Sequence, residues 1–224
     1  MTSQRTLRLD LHLHTRASWD CLSDPEAILA RARERGIDRV AITDHNLLGL
    51  ALEMHERYPE VVIPGEEVRT AEGMDLIGFF IKREIPKGTP ARETCQLIRE
   101  DGGVIYLPHP YAPGKGASGR HAEALAPLVD VVEVFNARLH PGRLNGPAAA
   151  LATHHGKLQG AGSDAHTVGE VGGGWVELPW HENNPAGLLH ALAEGVVGGK
   201  TTPYWVHMAS TWAKVHKALK LPTP

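Results

Sequence analysis

The stretch DLHLHT, Asp10 to Thr15, sets two histidines one residue apart inside what otherwise reads as a strand. Leu7, Leu9, Leu11 and Leu13 alternate with Arg8, Asp10, His12 and His14, the period-two pattern of a β-strand. On that alternation both imidazoles point the same way, opposite the four leucines, about 7 Å apart at a rise of ~3.3 Å per residue. A single histidine at a strand end is more often a satisfied rim group than a ligand, so the residues that close the other strands have to decide.

Downstream, SDPEAILARARERG offers Asp24 as N-cap, Pro25 in the first turn and Gly36 as the stop, with Ile28, Leu29 and Ala32 on one helical face. RVAIT reads as a buried strand followed by a helix over residues 48–58, and VVIPGEEV and MDLIGFF read as two further strands. Thr89 and Pro90 open a helix that runs to Glu100; GGVIYL is the next strand, with a helix over residues 121–128. VDVVEVFN precedes a helix over residues 147–155 that Asn145 opens, LQGAGS is a short strand, and Asn184-Pro185 opens a helix ending near Gly195. Strands alternating with helices predict an α/β fold of parallel β/α units, and about seven of them favour a barrel over an open sheet. In such barrels chemistry collects at the C-terminal ends of the strands.

With 224 residues the chain is long enough for one sizeable core and short for two, and it contains no repeat or low-complexity linker. A net charge of −3 without a basic block points away from nucleic acid, and no apolar run approaches the roughly 20 residues of a membrane span. MTSQRTLRLD lacks the apolar core of a signal peptide, and Cys21 and Cys95 show no CxxC spacing, so a cytoplasmic location is expected. Histidine is the outlier, at 14 residues.

Those histidines fall at strand ends. AITDHN brings Asp44 and His45, VVIPGEE brings Glu66 and Glu67, GGVIYLPHP brings His109, and GSDAH brings Asp164 and His166 as a second same-face pair. Burying several unpaired carboxylates and imidazoles is costly unless a cation compensates them. Imidazole and carboxylate donors without thiolate suit Mn, Fe or Zn. His12, His14, Asp20, His45, Glu66, His109, Asp164 and His166 are too many for one ion, so at least two metals with a bridging carboxylate are expected, the arrangement that hydrolyses phosphate esters. His55, His154, His155 and His216 fall in helices and are expected on solvated faces.

In that order, the HLH run, Asp20, TDHN, PGEE, PHP and SDAH resemble the polymerase and histidinol phosphatase (PHP) domain family over residues 8–178. The resemblance implies a single domain folded as a distorted (βα)7 barrel, two or three divalent ions (Mn, Fe or Zn) and phosphoester hydrolysis by a metal-activated hydroxide. It implies that His12, His14, Glu66 and Asp164 hold one ion, that Glu66 bridges to a second, and that Asp20, His45, His109 and His166 complete the sites. Many members place a histidine on the strand after the bridging glutamate; GMDLIGFF offers Asp75 there instead, a ligand or a turn residue.

Arg138 and Asn136, just past the sixth strand, are candidate substrate contacts, with Arg16 a third by proximity. His14, Asp20 and Arg138 are the candidates for proton transfer and charge stabilisation. Glu133 is expected to fill the barrel, and Lys115 or Arg120 to reach in from the loop PYAPGKGASGR. The expected activity is a phosphoesterase acting on a small phosphorylated metabolite or nucleotide. The alternatives are a histidinol-phosphatase-like phosphomonoesterase and a non-catalytic metal-binding module. An amidohydrolase-type barrel would place a bridging lysine at a mid-chain strand end, and none stands there. TPYWVHMASTWAKVHKAL, within a helical extension over residues 184–220, either packs on the barrel or joins a partner.

Overall fold

The computed structural model describes residues 5–113 and 116–221, which leaves Lys115 outside the described residues. Among the described residues nine strands form one sheet in the order β7-β6-β5-β4-β3-β2-β1-β8-β9. They are β1 (Thr6–Leu13), β2 (Arg39–His45), β3 (Val62–Arg69), β4 (Asp75–Phe79), β5 (Val104–Leu107), β6 (Val131–Asn136), β7 (Leu158–Gly162), β8 (Gly174–Pro179) and β9 (Val196–Gly199). The sheet curls until the end of β7 meets β1: Asp164 N donates to His12 O (2.7 Å) and His14 N to Ala165 O (2.9 Å). The result is a nearly closed barrel, as expected, but of mixed direction. β4 runs antiparallel to both β3 and β5, and β8 antiparallel to β1 and β9. A parallel crossover needs a dozen or more residues, whereas β3 and β4 are joined by a tight turn in which Thr70 N donates to Met74 O and Gly73 adopts φ +82°.

Helices α1 (Pro25–Glu34), α2 (Gly49–Arg57), α3 (Ala91–Glu100), α4 (Ala122–Leu125), α5 (Gly146–His154), α6 (Pro185–Leu192) and α7 (His207–Ala218) complete the fold. Asp24 caps α1 by accepting from the amides of Glu26 and Ala27, and Asn184 caps α6 through Gly187 N. No helix among the described residues is long and apolar enough to cross a membrane.

The core has two layers. Outward strand residues such as Val40, Ile42, Val62 and Leu76 pack with α1, α2, α3 and α5, while Leu7, Leu9, Leu11, Ile63, Phe79 and Tyr106 join Leu188 and Leu192 of α6 inside the barrel. β1 departs from simple alternation. Four residues, Asp10 to Leu13, span three on β2, Val40 to Ile42, and this bulge reverses the phase of the strand. Leu7, Leu9 and Leu11 therefore lie in the interior cluster together with the two histidines above them, and Leu13 alone joins the outer layer. The expected opposition of histidines and leucines is corrected on this point. The bulge gives the interior an apolar floor with imidazoles directly above it.

The helical histidines separate. His154 is exposed, and His155, half-buried, bonds Glu123 at 2.7 Å. His216 is buried, contrary to the solvated reading. His55 is half-buried and bonds the Val62 carbonyl at 2.8 Å. His55→Ala is expected to cost about 1 kcal/mol in a thermal or denaturant melt and to leave turnover unchanged. An activity loss as large as that of His45→Ala would break the separation of helical from strand-end histidines.

Candidate metal centre

Five imidazoles and three carboxylates meet at the top of the barrel. Glu67 stands at the middle: its Oε2 lies 3.4 Å from Nε2 of His12, 3.4 Å from Nε2 of His14 and 2.9 Å from Nδ1 of His45, and its Oε1 lies 3.2 Å from Nε2 of His109. Asp164 Oδ1 is 3.4 Å from His14 Nε2 and 4.0 Å from His12 Nε2. Asp20 closes the far side, 3.7 Å from His45 Nε2 and 3.3 Å from His166 Nε2. All eight side chains are buried or nearly so.

The central carboxylate is thus Glu67, and the assignment of Glu66 is corrected. On β3 the inward positions run Ile63, Gly65, Glu67, because Ile63 belongs to the interior cluster and Val62 and Val68 to the outer one. Glu67 pairs in register with His45, which also faces in, whereas Glu66 pairs with Asp44. Glu66 points outward and accepts from Ile85 N at 3.0 Å. Asp44 likewise faces away, holding the Thr15–Ser18 turn through the amides and hydroxyls of both residues.

Three further expectations change. Asp75 does face inward on β4, but both its oxygens engage the Arg69 guanidinium (Oδ2 to Nη2, 2.9 Å), so it lines the pocket mouth rather than the cluster. Arg16 turns away to pair with Asp24 at the start of α1, and Arg120 is exposed beside His121. Asn136 is buried and supports the cluster, donating to Glu133 Oε2 (3.0 Å) and Asp164 Oδ2 (3.4 Å) and accepting from Arg138 N. Arg138 lines the cavity; Glu170 holds its Nε at 2.9 Å and Ser210 Oγ accepts from its Nη2 at 3.0 Å.

Strand ends alone did not mark Glu133, Glu170, Trp19 or the α7 residues. Glu133 does lie inside the barrel, accepting from His12 Nδ1 and the Tyr106 hydroxyl, each at 3.1 Å, which directs His12 Nε2 into the cluster. Glu133→Gln is expected to weaken divalent-ion affinity about 10- to 100-fold, read by competition with a chromophoric chelator. An unchanged affinity would show that His12 is oriented by other means.

Backbone geometry bears on two of the eight residues. His109 and Asp164 adopt φ of +53° and +51°, left-handed conformations that cost energy for residues with a Cβ and gather at functional sites. At Gly162 a Cβ would stand 2.3 Å from His12 Cβ, so only glycine lets β7 approach β1 here.

The electrostatics divide the imidazoles. Burial opposes a proton on His12 and His45, yet the Glu133 and Glu67 charges lift His12 well above its usual value, and Glu67 pushes His45 up to about 9. Against the same burial penalty, the adjacent Glu67 carboxylate raises His109. Burial and neighbouring positive charge push His14 down to about 4 and also lower His166, which faces Arg138. Burial would raise both Glu67 and Asp20, but the surrounding imidazoles hold them well below the usual carboxylate range. Burial and the Glu67 charge raise Asp75 to about 7.

Protons do not satisfy this arrangement. Among the described residues, His12 Nε2, His14 Nε2, both Glu67 oxygens and Asp20 Oδ1 are buried without a hydrogen-bond partner. Donor atoms that converge and stay unmatched fit divalent cations, and imidazole with carboxylate is a donor set for Mn, Fe or Zn. Three overlapping triads could hold them: His14, His45 and His166; His12, Glu67 and His109; His12, His14 and Asp164. Cys21 is no donor here, since its Sγ–H bonds the carbonyls of His14 and His166.

The PHP domain model matches residues 10–83 and the PHP-associated model residues 142–197. MJ1587 of Methanocaldococcus jannaschii is 38% identical over 152 residues, 62% of this chain and 87% of that protein. A Bifidobacterium adolescentis protein provisionally assigned as a metal-dependent phosphoesterase superposes with a TM-score of 0.58 at 16% identity, over 92% of this chain and 96% of its own. The lesion-specific endonuclease Q of Pyrococcus furiosus gives 0.68 at 15% identity, over 86% of this chain and 58% of that one. At such identities the likeness is one of fold.

Proposed function

The chain belongs to the PHP domain family, and from that premise we propose that it is a metal-dependent phosphoesterase that hydrolyses a small phosphorylated metabolite or nucleotide. One observation carries the reading: the unmatched donor atoms of His12, His14 and Glu67 converge with Asp20, His45, His109, Asp164 and His166, and the last five line a solvent-reached cavity. His12, His14, Glu67, His109 and Asp164 would hold one group of ions, and Asp20, His45 and His166 would complete a second, for two or three in all. Divalent ions bound there would activate water near neutral pH and neutralise phosphoryl oxygens.

The remaining roles belong to the chain itself. Arg138 is fixed by Glu170 and Ser210 at the cavity wall, where its guanidinium can fork onto phosphoryl oxygens. Asp20 is held ionised beside His166, so it accepts a proton rather than donating one. His14 is buried and driven towards its neutral form, which suits a ligand better than an acid. Asn136 and Glu133 orient Asp164 and His12 and are positioning residues, as is Glu170, which the glycine-rich run GEVGGGW supplies. The cavity, about 380 Å3, has the volume of a small-molecule site.

A phosphate-release screen over nucleotides, sugar phosphates and a short oligonucleotide, with Mn, Fe or Zn and metal analysis of the same sample, tests the proposal. Turnover of a small ester with at least two ions per chain is the expected result. Tight ion binding with no phosphate released from any substrate would favour the non-catalytic module, and preferential cleavage of the oligonucleotide would move the reading towards a nuclease.

A further inference from the structure

One wall of the cavity comes from α7, which lies outside both matched segments, 10–83 and 142–197. His207, Ser210, Thr211 and Lys214 recur at i, i+3, i+4 and i+7, so they share a helical face, and all four line the cavity. The helix is braced there. Arg138 donates to Ser210 Oγ (3.0 Å) and Val206 O (3.4 Å), and Lys217 Nζ donates to the carbonyls of Arg16 and Ser18 on the loop that carries Trp19 and Asp20.

The long cations of the cavity differ in one respect. Arg138 is matched by Glu170 and Arg69 by Asp75. Among the described residues Lys214 has no carboxylate partner; its Nζ sits 4.4 Å from the centroid of the Trp19 ring. Trp19 is 54% exposed, and its ring lies 6.1 Å from that of His45. A cation over an indole face is held in place without being neutralised. The Trp19 ring thus has both the Lys214 ammonium and the His45 imidazole as neighbours, and all three line the cavity.

We propose that Lys214, with Thr211 and the Trp19 ring beside it, forms a second anion subsite that takes a carboxylate or phosphate carried by the leaving group. Resting on the phosphoesterase reading above, this names the substrate class as phosphomonoesters whose leaving group is itself anionic. α7 then selects the substrate, and the barrel rim supplies the reaction.

Matched pairs test it: 3-phosphoglycerate against glycerol 3-phosphate for a carboxylate, and fructose 1,6-bisphosphate against fructose 6-phosphate for a phosphate. The metal-loaded full chain is expected to favour the anionic member of at least one pair by about tenfold in kcat/KM, the loss expected for one charge-assisted contact. Lys214→Met should abolish that preference while changing kcat/KM for the neutral member by less than about twofold, and Lys214→Arg should keep it. Equal losses on both members, or a preference that survives Lys214→Met, would overturn the subsite. If no ester is turned over, the phosphoesterase reading fails separately, and calorimetric binding of 3-phosphoglycerate and glycerol 3-phosphate decides. About tenfold tighter binding of the former, lost in Lys214→Met, supports the subsite; equal or undetectable binding of the two overturns it.

Discussion

Replacing Glu67 by Gln should remove bound divalent ion and lower turnover by at least about a thousandfold, whereas Glu66→Gln should leave both near wild type. The neighbours are chemically identical and differ only in the face of β3 they occupy. Glu67 lies within 3.4 Å of ring nitrogens on His12, His14, His45 and His109, so removing its charge affects every triad that those rings join. Among the described residues Glu66 accepts only from Ile85 N, and burial already pushes its carboxyl up to about 7. A neutral isostere keeps the acceptor at Ile85 and avoids burying a charge, so little stability should be lost. Metal analysis, phosphate release and circular dichroism on the two variants read the contrast. If Glu66→Gln lost its metal and Glu67→Gln did not, the inward phase of β3 would be wrong.

Cation uptake at pH 7 should release about two protons per molecule. Against the burial penalty, nearby carboxylates raise His12 well above its usual value and His45 to about 9, so these two rings carry protons that a bound ion must displace. Each released proton makes affinity rise about tenfold per pH unit, so with two the apparent affinity should gain roughly ten-thousandfold between pH 6 and pH 8. In the metal-free protein the sign is opposite. A folded-state value raised above the ordinary 6.5 means that the stability from protonated His45 is fully present below about 6.5 and is lost as pH rises through about 9. Glu67 and Asp20 act from the acid side, since their depressed values contribute stability above the ordinary 4.5 and 3.8 that is lost as pH falls through the folded values. The metal-free melting temperature should therefore decline from neutral to alkaline pH while the loaded protein gains. Calorimetric titration in buffers of different ionisation enthalpy counts the protons; release of fewer than one would mean that the imidazoles face the cavity already neutral.

Most elements were legible because their signals are local. Asp24 before Pro25, Thr89 before Pro90 and Asn184 before Pro185 mark helix starts from a few consecutive residues, and α1, α3 and α6 begin there. The sense of β4 was missed although its cue was present, a five-residue connection with no room for a crossover. β9, four residues at the sheet edge, carries too little pattern to stand out.

The sequence by itself determined the barrel class and the inventory of donors: which imidazoles and carboxylates follow strand ends, in what order, and with no thiolate among them. Tertiary structure alone decided which of Glu66 and Glu67 enters the barrel, that Asp75 goes to Arg69, that Arg16 turns to Asp24, and that α7 walls the cavity. The physical reason is that a strand buried on both faces has no solvent side to mark its phase. Its inward set is settled by register with neighbours, by the bulge between Asp10 and Leu13, and by closure of β7 onto β1, contacts between residues some 150 positions apart.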